Sequence, residues 1–224
     1  MKRSSLLWQA LIKYLAGLLL VAALLFLPAG TWHYFGGWLF LAVLFIPILI
    51  LGIVLFFRAP ELLQKRLDGK EKQKTQKGVI SLSALAFLAG FLLAGLDHRF
   101  GWLPLPRLVN IIAAAVLLFA YALYAEVMRE NVYLSRTVEV QKGQKVIDTG
   151  LYGIVRHPMY AVTILLFLSI PLVLGSLISF AIFLTYPIFI VIRIRNEEAV
   201  LEAGLEGYTA YKQKVKYRLI PWIW

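Results

Sequence analysis

Two stretches of the chain combine residue types that could handle a charged ligand. The first is Gly150-Leu151-Tyr152-Gly153-Ile154-Val155-Arg156-His157-Pro158-Met159-Tyr160, which leads from a polar segment straight into an apolar run. Proline suits the first turn of a helix, where its missing N–H has no partner to lose, and the residue before it is pushed towards extended backbone. His157 is therefore expected at or beside the N-cap of a helix that opens with Pro158. The N–H groups left free at such a terminus attract anions, and Arg156 adds a fixed positive charge beside them. Two readings are open: a cradle for a carboxylate or phosphate, or a capped helix whose Arg156 snorkels to lipid headgroups. The second stretch is Arg193-Ile194-Arg195-Asn196-Glu197-Glu198. On a helix Arg193 and Glu197 share one face, while Glu198 falls on the neighbouring face with Ile194. Such a pair could bind a zwitterion such as an amino acid moiety, or form an ordinary interfacial ion pair that contributes little.

The elements that must position these residues are apolar. Of 224 residues, 61% are hydrophobic and 16% charged, with a mean hydropathy of +0.78. A soluble domain runs nearer 45–50% and 25%, so a soluble enzyme is excluded and an integral membrane protein expected. The absence of cysteine removes disulfides, thiolate metal sites and cysteine nucleophiles. Spanning a bilayer takes about 20 mostly apolar helical residues. Leu6–Leu27, Trp32–Phe57 (with a kink expected at Pro47), Val79–Leu96 and Leu108–Ala125 qualify. Ala86, Gly90 and Ala94 line the third as a small-residue stripe suited to close packing. Met159–Leu174 and Leu177–Ile192 follow, separated by Gly175 and Ser176, and read as an antiparallel helical hairpin. At 1.5 Å per residue the first arm is about 24 Å long, which leaves open whether the hairpin spans or is re-entrant. The fold class is thus all-α: a polytopic transmembrane protein of about six hydrophobic segments, forming one membrane-embedded domain. Residues 1–125 carry four helices, and 126–224 carry the polar stretches and the hairpin 159–192. No internal repeat or low-complexity run is present.

The net charge of +11 would suggest nucleic acid in a soluble chain. Here Lys and Arg distribute by side instead: with the helices cut as above, 20 lie on one face and only Arg99 and Arg107 on the other. That asymmetry predicts cytoplasmic termini and no nucleic-acid partner. The segments 126–158 and 193–224 then meet at the open end of the hairpin, on the cytoplasmic side. The charged 58–78 stretch reads as a solvated connector, with contact to anionic lipid as the alternative.

Tyr152, the run Arg156-His157-Pro158-Met159-Tyr160, the pair Glu197-Glu198 and Tyr208 with Tyr211 together resemble the isoprenylcysteine carboxyl methyltransferase family, which is related to membrane phospholipid N-methyltransferases. The resemblance covers roughly Val127 to Pro221. It implies S-adenosylmethionine bound at the cytoplasmic membrane surface between the hairpin and the C-terminal segment. It further implies that Gln144, Lys145, Val146 and Ile147 line the cofactor through backbone groups. Tyr152, His157, Pro158, Met159 and Tyr160 would hold its adenosine and amino acid parts, and Glu197 would contact it too. Arg193 matches a position that faces substrate, and Arg156 is a second group to hold or polarise substrate. Glu198, Tyr208 and Tyr211 are further candidates, the tyrosines either facing cofactor or packing the C-terminal helix. The sequence departs from the family pattern at Leu151 and Gly153, where Pro and Arg are frequent, at Val162 in place of glycine, and at Lys145 in place of histidine.

The expected reaction is methyl transfer to a lipophilic acceptor, small or lipid-modified. The leading acceptor is an isoprenylcysteine-like or other amphiphilic carboxylate; a phospholipid headgroup amine is the alternative, and a non-catalytic membrane protein of the same fold is a third possibility. In-line displacement at a sulfonium carbon relies on positioning and electrostatics. A carboxylate, with a pKa of about 4, needs no base; an amine or thiol would, with His157 or Glu198 in reach. No Gly-x-Gly-x-x-Gly follows a strand, so a soluble dinucleotide-type site is unsupported. No His/Asp/Glu group has metal-ligand spacing, and no metal is expected. Against transport, the helices contain almost no ionisable residue besides Lys13. His33 and His98 are expected in external loops, and Trp222 and Trp224 as interfacial anchors.

Overall fold

The structure, a computed structural model, describes residues 3–67, 74–134 and 138–224. Lys2 and the middle of the 58–78 connector lie outside the described residues. The helices are α1 (Arg3–Ala29), α2 (Phe35–Arg58), α3 (Pro60–Leu67), α4 (Lys74–Phe100), α5 (Arg107–Glu130), α6 (Pro158–Leu174), α7 (Leu177–Phe183), α8 (Tyr186–Gly204) and α9 (Tyr208–Lys214), with a 3₁₀ turn at Gly150–Gly153. Five stretches among the described residues are long and apolar enough to cross a membrane, with α7 and α8 together forming one of them, and α6 is a shorter sixth. The protein is an all-helical integral membrane protein, as its composition requires.

Several boundaries differ from those read in the sequence. The single run expected over Leu177–Ile192 breaks at Leu184 and Thr185. Pro187 has no N–H to offer and its ring crowds the carbonyl four residues back, which is that of Phe183, the last residue of α7. Beyond the break α8 continues well past the apolar run, to Gly204. Pro47, by contrast, lies inside α2 without ending it. Part of the connector expected to be solvated is the helix α3: Leu63 is buried, and Arg66 donates to the Tyr124 hydroxyl at 3.1 Å while lying 5.6 Å from that ring's centroid. Lys13 Nζ donates to the Leu67 carbonyl and so fixes the end of α3, a cation where a helix C-terminus favours one.

α5 runs along α6, α1 along α4, and α4 against α7. Gly90, in the small-residue stripe, shows why the last contact is close: a Cβ there would stand 2.4 Å from the Phe183 ring. At the tip of the hairpin Gly175 turns the chain with φ +79°, the left-handed conformation that glycine adopts freely.

That tip is bonded to the connections at the same end of the bundle. Leu105 N–H donates to Gly175 O at 2.9 Å, and Leu177 N–H to Leu103 O at 3.3 Å. The Tyr34 hydroxyl donates to Leu174 O at 2.9 Å, and Asn110 Nδ2 to Val173 O at 2.8 Å. Asp97, 1% exposed, accepts from Leu103 N–H at 2.8 Å and from the Ser176 hydroxyl. The hairpin therefore reaches the level of the α4–α5 connection. Asp97 is a buried ionisable residue that the sequence reading missed, because α4 extends through it to Phe100 instead of ending at Leu96. His98 stacks on Tyr34 at 4.2 Å between ring centroids, part of this same end rather than of a loop.

A candidate ligand cleft at the open end of the hairpin

At the opposite end, where α6 begins and α8 emerges, residues from 131–134 and 138–157 and those after α8 enclose a cleft of about 850 Å³ that includes its open mouth. Local sequence builds its floor. His157 is the N-cap of α6 and Pro158 its first residue, as the dipeptide dictates. The cap is not made by the His157 side chain; its own backbone N–H and that of Arg156 instead donate to Arg218 O and Tyr217 O, both at 2.9 Å. A strap of residues 215–218 thus lies across the start of α6.

Behind the cleft wall sits a buried charge cluster. Arg156 Nε donates to Glu198 Oε1 at 2.8 Å, and its Nη1 donates to the carbonyls of Val215 and Lys216 at 2.7 and 2.8 Å. His157 Nε2 lies 3.2 Å from the same Glu198 oxygen, and Arg218 Nε donates to Glu198 Oε2 at 2.8 Å. Arg156, His157 and Glu198 are all buried. A carboxylate held by two guanidinium groups and an imidazole has little left to offer a ligand, and Arg156 spends Nε and Nη1 on the strap and Glu198. The geometry therefore makes Arg156 and Glu198 the joint between hairpin and strap. The burial of Arg156 does not fit the headgroup snorkelling read as one alternative in the sequence.

Arg156 and His157 also reach the cleft, where further groups join them. Tyr160, on the first turn of α6, donates its hydroxyl to Glu197 and accepts from Arg193 Nε at 2.7 Å. Arg193 and Glu197 do share one face of α8, but they are joined through the Tyr160 hydroxyl, with the Arg193 guanidinium 5.8 Å from the ring centroid. Gln144, Lys145, Val146, Ile147, Tyr152, Arg156, His157, Met159, Tyr160, Arg193, Glu197, Tyr208 and Tyr211 all contribute to the lining. Pro158 is buried at the helix start without lining the cleft, and Glu198 stays behind it. Val162, the departure from the family pattern, is in the hydrophobic core between the helices and not at the cleft.

The tyrosines form a linked wall. Tyr211 donates to the Tyr152 carbonyl at 2.7 Å, and its ring lies 5.8 Å from that of Tyr208. Tyr208 is 4% exposed, and its hydroxyl is a buried polar atom with no hydrogen-bond partner. Burial first, and then the nearby Glu198 and Glu197 carboxylates, push that hydroxyl above the ordinary phenol range; burial does the same for Tyr152 and Tyr211. At neutral pH all three are protonated, so Tyr208 presents an unsatisfied donor.

The sequence reading missed Asn131, Tyr133, Leu134, Val138 and Glu139, which close one side, and Leu201 and Leu205 on the other. The last two were within reach, since Arg193, Glu197, Leu201 and Leu205 recur at four-residue spacing and so share a helix face. The first five follow the end of α5 with no motif to mark them.

The described residues thus form a bundle of apolar helices, long enough to cross a membrane, with a polar, tyrosine-walled cleft at one end. Residues 111–203 match the model of the isoprenylcysteine carboxyl methyltransferase (ICMT) family, and through this segment the chain is similar to that family. The match begins inside α5, spans the whole hairpin, and stops before Tyr208 and Tyr211. No curated protein matches the chain.

Proposed function

We propose that the cleft binds S-adenosylmethionine and that the protein methylates a lipophilic acceptor, foremost the carboxylate of an isoprenylcysteine-like or other amphiphilic molecule. The observation that carries this reading is the Tyr208 hydroxyl: a donor left unsatisfied and buried in the wall of the cleft. Leaving a buried donor unpaired costs about 1–3 kcal/mol, and a ligand acceptor would recover it. The mixed lining of aromatic rings, Glu197 and the 144–147 backbone suits a molecule with an adenosine, a zwitterionic tail and a sulfonium. When bound, that molecule supplies an electrophilic methyl group.

The chain's own residues then have separable tasks. Tyr208, Tyr152 and the 144–147 segment bind. Glu197, oriented by the Tyr160 hydroxyl, offers a negative charge to the cationic ligand. Arg193, on the same relay and at the end of the apolar part of α8, is placed to orient an acceptor arriving from lipid. An ionised carboxylate needs no proton removed, so orientation is the main contribution asked of Arg193. By the distribution of Lys and Arg, the cleft lies on the cytoplasmic side with both termini.

The test is incubation of the purified protein with methyl-labelled S-adenosylmethionine and total membrane lipid. Carboxyl methylation yields product that releases volatile methanol in base. Base-stable label in phospholipid would show headgroup N-methylation instead. Absence of transfer together with absence of calorimetric binding of S-adenosylhomocysteine would leave a non-catalytic protein.

A further inference from the structure

The strap that clamps Arg156 continues into a turn that the cleft does not use. Ile223 N–H donates to Ile220 O at 3.2 Å, and the main-chain oxygen of Trp224 accepts from the N–H groups of Arg218, Leu219 and Ile220 at 2.9, 2.9 and 3.2 Å. Pro221 takes the second place of this turn, which its fixed φ suits. Trp222 takes the third with φ +64°, a conformation that glycine ordinarily supplies there. Among the described residues it is the one non-glycine residue with positive φ. Its indole meets the Tyr217 ring at 6.3 Å between centroids and is otherwise open, 85% exposed, with Ile223 at 76% and Ile220 at 51%.

The residues flanking the turn point the other way. Leu219 and Trp224 pack against Ile164, Ile190 and Ile194 of the hairpin, and the Arg218 guanidinium covers the Trp224 ring at 5.1 Å. Of the two anchors expected from the sequence, Trp224 is therefore held by the protein, and Trp222 is displayed. The hairpin contact sets the turn beside the spanning helices, so the apolar tip has the protein's own bilayer as its neighbour. A side chain in the left-handed region is disfavoured relative to glycine. Exposing an indole and two isoleucines to water adds to that cost, and lipid removes the second part. Indole is, moreover, the side chain that best suits the headgroup boundary.

We propose that the 220–223 turn is a wedge seated in the headgroup–acyl boundary, and that its hold on lipid keeps the 215–218 strap on Arg156 and His157, so that the cleft is fully assembled only in a bilayer. The second half of this proposal rests on the ligand reading given under Proposed function; the first half does not.

The chain contains no cysteine, so Ile223→Cys carries a single nitroxide label. In nanodiscs of phosphatidylcholine and phosphatidylglycerol, the label is expected to be relaxed by oxygen far more than by a water-soluble nickel chelate. In the Trp222→Gly background it should move towards water. Free access of the chelate in the parent background overturns the wedge. The second readout is calorimetric affinity for S-adenosylhomocysteine in the same nanodiscs. Trp222→Gly, which relaxes the backbone and keeps the turn, is expected to weaken it at least about fivefold, whereas in detergent micelles parent and variant should differ by less than twofold. Equal affinities in nanodiscs overturn the coupling. If the parent does not bind this probe at all, the ligand reading and the coupling fall together, and the label depth still decides the wedge.

Discussion

Removing one oxygen atom from Tyr208 should change ligand-free and ligand-bound protein in opposite directions. Tyr208→Phe keeps the ring, its 5.8 Å contact with Tyr211 and the buried volume, and deletes a hydroxyl that has no partner. A buried unsatisfied donor costs about 1–3 kcal/mol; the cleft is partly open to water, so the lower end applies. Ligand-free Tyr208→Phe should be more stable than the parent by about 1 kcal/mol, a rise in Tm of roughly 2–4 °C for a chain of this size. If the hydroxyl donates to the bound ligand, the variant loses about 1–1.5 kcal/mol of binding, which is roughly a five- to tenfold increase in Kd. Thermal unfolding and calorimetry with S-adenosylhomocysteine, both in nanodiscs, measure the two effects on one preparation. A lowered Tm in the ligand-free protein would mean that the hydroxyl has a structural partner. An unchanged Kd would mean that it does not face the ligand. Either result refutes the reasoning.

Other perturbations separate the relay from the joint behind it. Glu197→Gln should weaken S-adenosylhomocysteine binding about tenfold, whereas Arg193→Ala should leave that affinity within twofold and reduce turnover at least tenfold, as read by calorimetry and methyl transfer. Arg156→Ala removes Nε and Nη1 donors from Glu198 and two carbonyls; breaking a buried pair costs about 3–5 kcal/mol. The double variant Arg156→Ala/Glu198→Ala should be less destabilised than the sum of the singles, a non-additivity read from unfolding midpoints. At the other end of the bundle, Ser176→Ala deprives Asp97 Oδ2 of its donor and should cost about 1–3 kcal/mol in stability, with cofactor affinity unchanged because the cleft lies at the far end of the hairpin.

The sequence was most informative where local chemistry and periodicity agree. Apolar runs of bilayer length gave the spanning helices, and His157-Pro158 gave the start of α6 to the residue. The break at Leu184–Thr185 was legible in Pro187, but the continuous apolar run around it outweighed a single residue. The residues that line the cleft were mostly identified, yet the pairing of Arg156 with Glu198 was not, for a physical reason. Arg156 and Glu198 are 42 positions apart, and their mutual contact depends on how the hairpin closes and on a strap from residues 215–218. No spacing rule within one helix reports such a pairing. Asp97 was missed for a related reason: beside His98 and Arg99 it lowers the hydropathy of its window, so the apolar segment seemed to end, while burial is secured by Ser176 from a distant element. Asn131, Tyr133, Leu134, Val138 and Glu139 line the cleft from outside any helix, a placement that side-chain type alone does not encode.

The bonds between the hairpin tip and the α4–α5 connection bear on how pieces of this protein can be exchanged with those of relatives. A chimera joined just after α5 would separate Gly175, Ser176 and Leu177 from Asp97, Leu103 and Leu105, leaving a buried carboxylate and several peptide groups facing strangers. The transplantable unit accordingly begins at about residue 97, and a graft that respects this seam carries the depth of its cleft with it.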